Sequence, residues 1–160
     1  MNTFSHGVMK YAVDKFNLAD KKVLDVGSYD VNGTYEDIFS DYTGLDIVDG
    51  PNVDIVSTEL YRFPVGDNAY DVVVTGNTLE HVEDMYAFVK ELARIAKEYV
   101  VIAVPSAGIG EHRHPIDCWR VYPDGMKFLL EKVAGLEVVH CELMKFPRGW
   151  HETVAVAKKV

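Results

Sequence analysis

Val23-Leu24-Asp25-Val26-Gly27-Ser28 decides how this chain folds. A short apolar run carrying one acid stops at a glycine and a hydroxyl. Asn32-Gly33 follows, and then a segment of helical pattern from Thr34 to Tyr42. A parallel strand that stops at glycine and feeds a helix leaves backbone N–H groups in a crevice at the sheet's carboxyl edge. There α/β proteins hold nucleotide-like ligands. Glycine permits close approach to the backbone because it has no Cβ. One glycine in such a turn also serves geometry alone, so the rest of the chain must decide.

Outward from this stretch, helical and strand patterns alternate. Upstream, Ser5 is placed to cap a helix running to about Asn17, with Phe4 and Met9 where a hydrophobic staple would sit. Downstream, residues 42–47 and 53–56 read as second and third strands. Tyr70-Asp71-Val72-Val73-Val74-Thr75 reads as a fourth, buried on both faces. Glu83-Asp84 open a helix whose apolar residues Met85, Phe88, Val89, Leu92, Ala93 and Ala96 keep i, i+3, i+4 spacing. Residues 99–104 are a fifth strand stopped by Pro105, and residues 124–133 a further helix. Two last strands, 136–143 and 153–157, flank the short Pro147-Arg148-Gly149-Trp150 connection and should pair antiparallel. The expectation is an α/β fold: a Rossmann-like, doubly wound, mostly parallel seven-stranded sheet with a C-terminal antiparallel hairpin. Residues 1–160 form a single domain in this reading, with no repeats and no linker.

Composition narrows the function. The chain has 160 residues, 48% apolar and 26% charged, enough to bury a core without disulfides. Its net charge of −9 and the lack of a basic cluster disfavour nucleic acid, whose binding draws on concentrated Lys and Arg. No apolar run approaches a membrane span of roughly 18 residues. Residues 1–17 do not read as a signal peptide, and two distant cysteines, Cys118 and Cys141, fit a reducing cytoplasm.

Candidate binding groups recur at strand ends. Asp46 lies 19 residues past Gly27, where a carboxylate can accept from both hydroxyls of a ribose, and Ile47 can cover a ring face. Ser57 and Thr58 could meet an adenine amine. Asp25 lies within the first strand, and Gly76-Asn77 end the fourth. A surface acid or a plain turn would account for each position separately, but not for their alignment at successive strand tips.

Three quoted stretches carry a resemblance: Val23 to Ser28, Gly44-Leu45-Asp46-Ile47, and Tyr70 to Val74 with Leu79-Glu80-His81-Val82. Over about residues 20–105 the chain resembles class I S-adenosylmethionine-dependent methyltransferases, especially small domains of the methyltransferase 11/23 type. His114-Pro115-Ile116-Asp117-Cys118-Trp119-Arg120 also looks like a loop of that group. The resemblance implies S-adenosyl-L-methionine as cofactor. Gly27 and Ser28 would cradle its methionine part, Asp46 its ribose, Ser57-Thr58 its adenine, and Gly76-Asn77 would lie beneath the sulfonium. The chain departs from the pattern in two places: Tyr29 and Val31 stand where further glycines are usual, and Ala96-Lys97-Glu98-Tyr99 replaces a Gly-Gly turn. A dinucleotide site wants three glycines in this turn. S-adenosylmethionine has no pyrophosphate to cradle, so the single glycine favours the methyl donor.

The expected activity is methyl transfer to oxygen or nitrogen of a small or carbohydrate-like acceptor, by in-line displacement. Positioning supplies most of the catalysis, and a base is needed only for a hydroxyl or a protonated amine. His81, His114 and Asp117 are the candidates for proton removal, with Arg120 and Tyr122 for acceptor binding. Orienting the loop with Glu80 is the favoured role for His81, with proton removal second, and core packing is the favoured role for Trp119, ahead of walling the acceptor site with Tyr122. The 106–123 loop should overhang the donor, and Phe4, Tyr11 and Phe16 could close the site as a lid. His112, His114, Asp117 and Cys118 invite a zinc reading, but their spacing matches no compact signature, so no metal is expected. Two rival classes remain: a binding module that never transfers methyl, and a metal-dependent hydrolase using His112, His114 and Asp117.

Overall fold

Strands that are apolar on both faces require two covering layers, and the chain supplies both. A computed structural model describes residues 3–160. Its strands are β1 (Lys22–Val26), β2 (Asp41–Asp46), β3 (Ile55–Val56), β4 (Tyr70–Gly76), β5 (Ala96–Ala107), β6 (Glu137–Lys145) and β7 (His151–Lys158). They form one seven-stranded sheet in the order β3-β2-β1-β4-β5-β7-β6. The first five pair parallel; β7 runs antiparallel to both β5 and β6. The expected fold is therefore the observed one.

Alternation along the strands sends side chains to opposite faces. Val73, Val100 and Ile102 pack beneath α2 (Met85–Ile95) and α3 (Pro123–Lys127), which continues as a π-helical turn over Phe128–Val133. Val72, Val74, Val101 and Ala103 meet Val8, Met9, Ala12 and Val13 of α1 (Thr3–Lys15) on the other face. The Asp84 side chain caps α2 by accepting from the Ala87 N–H.

Several expectations change: Ala96, given to the second helix and to the turn after it, is the first residue of β5. The Thr34–Tyr42 helix is a single 3-10 turn, Glu36–Ile38. Strand β2 claims Asp41 onward, and the Asp30 and Thr34 side chains accept from the Gly33 and Glu36 N–H groups, which closes local turns in place of a helix. Tyr35, Ile38 and Phe39 still bury on the sheet. Pro105 does not stop β5; it sits opposite Glu152 beside a register shift, beyond the last β4 partner, where no ladder N–H is missed. Ser5 does not cap α1 but is buried inside it, its hydroxyl donating to Glu152 Oε1 at 2.5 Å. Phe4 does not bury as a staple: it is exposed, and its ring rests on Phe146, centroids 4.9 Å apart.

Candidate functional site

At the carboxyl edge of the parallel strands the tips of β1, β2 and β4 open into one cleft of about 1550 Å³. Such volume exceeds the roughly 300–1,000 Å³ of a single small-molecule pocket. A shallower hollow of about 250 Å³, lined by Lys90, Arg94 and Lys159, lies at the opposite edge of the sheet where α2 runs into β5.

The cleft floor is built from close contacts. Gly27 has φ +84°, and a Cβ there would lie 2.1 Å from Thr78 Oγ1. A Cβ on Gly76 would lie 2.0 Å from the Tyr35 hydroxyl. Glycine at both places is a steric necessity of the floor. No helix follows β1, so the N–H groups of its turn do not wait for a ligand. Those of Gly27 and Ser28 donate to Leu45 O, at 2.8 and 3.1 Å, and tie β1 to β2. That is the correction to the cradle expected of Gly27-Ser28.

Asp46 lines the cleft and holds its rim. Its Oδ2 accepts from the Tyr29 N–H at 3.0 Å and Oδ1 from the Ile47 N–H at 2.7 Å. Oδ1 also accepts from the Val48 N–H at 3.3 Å, so the capacity for a further donor lies on Oδ2. Ile47 and Val48 beside it are exposed apolar residues on the cleft wall. Asp25 sits deeper, its Oδ2 accepting from the Tyr42 hydroxyl at 2.6 Å while its buried Oδ1 has no partner among the described residues. Burial pushes this carboxyl up to about 7. Asn77, at φ +53°, donates its N–H to Ala103 O, and its own buried Oδ1 has no partner among the described residues.

The roof is the 106–123 loop, pinned to the 3-10 turn Leu79–His81 that follows β4. The Cys118 N–H donates to Glu80 O at 2.7 Å and the Trp119 indole to Val82 O at 2.7 Å. His81 Nδ1 donates to Ile116 O at 2.6 Å, and burial lowers this imidazole from its ordinary value, keeping it neutral. Its Nε2 faces the fully buried Glu80 carboxyl at 3.5 Å. Burial pushes Glu80 up to about 8.

The expected residues divide. Asp25, Gly27, Ser28, Asp46, Ile47, Gly76, Asn77, His81 and His114 line the cleft. Ser57, Thr58, Asp117, Arg120 and Tyr122 are not among its lining residues. Ser57 closes a turn, its hydroxyl donating to Glu59 O at 2.7 Å and accepting from the Glu59 N–H at 3.2 Å. Asp117 cannot remove protons: Arg120 grips both its oxygens at 2.6 and 2.8 Å, the His112 N–H adds a third bond, and its carboxyl falls far below the usual range. The same bonds commit Arg120 to the loop rather than to an acceptor. Tyr122 lies half exposed at the start of α3. The lid fails also: Tyr11 donates to Glu142 and Phe16 packs near His140, both on β6, so Thr3 is the residue α1 brings to the cleft. Sequence reasoning gave Glu80 only as a partner of His81 and missed Tyr35 and Thr78 at the site, because their importance lies in burial and contact and leaves no spacing signal.

A family model described as a methyltransferase domain matches residues 24–104. A Mycobacterium tuberculosis protein described as a probable S-adenosylmethionine-dependent methyltransferase is 28% identical over 105 residues, 61% of this chain and 38% of that protein. The chain thus spans well under half the length of that curated relative. Among solved structures, the Burkholderia thailandensis 1,6-didemethyltoxoflavin N1-methyltransferase, bound to 1,6-didemethyltoxoflavin and S-adenosylhomocysteine, superposes with a TM-score of 0.75 at 17% identity. It covers 98% of this chain and 78% of that one. The magnesium protoporphyrin IX methyltransferase of Synechocystis with bound S-adenosylhomocysteine gives a TM-score of 0.70 at 15% identity, over 98% of this chain and 82% of that one. At these identities the structural matches speak for the fold.

Proposed function

We infer that this chain, which belongs to the methyltransferase domain family, transfers a methyl group from S-adenosyl-L-methionine to a small-molecule acceptor. One observation carries the reading: a single cleft joins the Asp46 carboxylate, the apolar Ile47-Val48 wall and the unpartnered oxygen of Asp25. The cofactor is cationic, with ribose hydroxyls and a flat base. Asp46 Oδ2 has acceptor capacity for a hydroxyl, Ile47 and Val48 offer apolar cover, and Asp25 offers a buried oxygen with no partner among the described residues. The residues present fit the group.

When bound, S-adenosylmethionine supplies an already activated methyl on a sulfonium. The protein's task is then alignment, which can contribute up to roughly 7–11 kcal/mol. Gly76 and Asn77 line the floor of the cleft, and residues 109–116 of the roof loop line it from above. His81 is a poor base toward an acceptor, because Nδ1 is tied to Ile116 O and Nε2 faces Glu80. His114, exposed on the cleft wall, is the imidazole placed to take a proton from a hydroxyl or ammonium. The acceptor in this reading is small or carbohydrate-like and methylated at oxygen or nitrogen. The net charge of −9 argues against a polyanion.

Calorimetry with S-adenosylhomocysteine tests the cofactor site. Asp46→Ala should weaken binding at least tenfold; an affinity equal to that of the parent chain would sink the assignment. A screen for S-adenosylhomocysteine release across acceptor classes tests the chemistry, since a module that only binds would release none.

A further inference from the structure

Glu80 is buried to 0% exposure, and neither carboxyl oxygen has a hydrogen-bond partner among the described residues. Leaving such a group unmet costs on the order of 1–3 kcal/mol or more. What faces it is a pair of imidazoles: His81 Nε2 at 3.5 Å and His112 Nε2 at 3.7 Å, both from the same Oε1. These distances are long for hydrogen bonds. They lie just above the separation of about 3.0–3.4 Å between neighbouring ligands of an ion held at about 2.1 Å. One donor atom from each of Glu80, His81 and His112 lies within 4.8 Å of the others.

The far nitrogens of both rings are already accounted for. His81 Nδ1 donates to Ile116 O at 2.6 Å. His112 Nδ1 faces Gly110 O at 3.3 Å and Asp117 Oδ2 at 3.7 Å. An imidazole whose Nδ1–H is held by a carbonyl or carboxylate presents the Nε2 lone pair, the arrangement found behind metal-binding histidines. Here both lone pairs converge on a carboxyl oxygen that has no hydrogen-bond partner among the described residues. The Asp117–Arg120 pair, which takes no part at the cleft wall, gains a purpose as the brace of His112.

We propose that Glu80, His81 and His112 bind one divalent transition-metal ion of the zinc class. Two imidazoles and one carboxylate suit zinc, cobalt or ferrous iron better than magnesium or calcium. His81 and His112 lie on the cleft wall with Glu80 behind them, so the coordination left open faces the acceptor's space. An acceptor bearing an oxygen or nitrogen donor would be held there. That use rests on the methyl-transfer reading; binding of the ion does not.

Cobalt(II) is the probe, added to the metal-stripped full chain and followed by its visible absorption. One ion per chain is expected, displaced by zinc. His81→Ala and His112→Ala should each lose at least tenfold in affinity. Glu80→Gln should do the same while remaining folded, because the amide replaces a carboxyl of the same shape. His114→Ala should bind as the parent does. Cobalt bound equally well by Glu80→Gln, or lost in His114→Ala, would overturn the ligand set. S-adenosylhomocysteine calorimetry on the same samples separates the two readings. No metal uptake by a chain that binds this ligand removes the ion site alone, whereas uptake without such binding upholds the ion site and removes the cofactor reading.

Discussion

Asp25 gives the sharpest test of the buried charge pattern. Its carboxyl stays protonated in the folded chain to about pH 7, whereas in the unfolded chain it ionises near 3.8. Between those values the folded state holds the proton that the unfolded state has released, so this group's contribution falls as pH rises through the window, by about 4 kcal/mol at most. Asp25→Asn should keep the Tyr42 bond and remove the fall. Urea midpoints at pH 5 and pH 8 should converge for the variant relative to the parent, and a parallel pH dependence in both would show that the carboxyl is not buried as described. Gly27 makes a second test. Alanine at φ +84° is strained, and its Cβ meets Thr78 Oγ1. Gly27→Ala should cost roughly 1–3 kcal/mol by the same assay. Thr78→Ala in that background should relieve the contacts with Oγ1 and Cγ2 but neither the one with its own Cβ at 2.8 Å nor the strain, so recovery should be partial; full recovery or none would contradict the contact.

Among elements, the roof loop depends on one ion pair. The Asp117 side chain is 3% exposed and Arg120 grips it from three residues away. Breaking such a pair strands a buried charge, and Arg120 is exposed enough to temper the cost to about 1–3 kcal/mol. The pair stabilises above the ordinary carboxylate range and is lost on acidification, so the deficit of Arg120→Ala should be full at pH 7 and shrink toward pH 3. Hydrogen exchange at residues 110–120 should quicken in the variant, and unchanged protection would show that other contacts hold the roof. This loop also marks where sequence reading stops. Hydrophobic period and strand-end position located Asp25, Gly27, Asp46, Gly76 and Asn77 at the cleft, because sheet topology alone carries those residues there. Asp117 and Arg120 carry the same chemical labels as catalytic groups, and only their mutual contact shows that they are spent on each other. The missing helix after β1 has a similar origin: Tyr35, Ile38 and Phe39 satisfy both helical spacing and plain burial, and the side-chain bonds of Asp30 and Thr34 decided between them.

For the molecule as a whole, a ligand that fills the cleft should stabilise the sheet whose tips it bridges. S-adenosylhomocysteine at 100 times its dissociation constant contributes about 2.7 kcal/mol, a rise in Tm of roughly 5–10 °C for a chain of this size. Scanning calorimetry with and without ligand measures it, and an unmoved transition at saturating ligand would speak against the cleft as the binding place. The sheet order has a consequence of another kind. Strand β7 is made after β6 yet stands between β6 and β5. A ribosome that has delivered residues only as far as Gly149 therefore holds a chain whose β5 margin is bare and whose β6 has nowhere to dock. The last strand must slot between two older ones, so the nascent protein is exposed to edge-to-edge aggregation until that strand emerges.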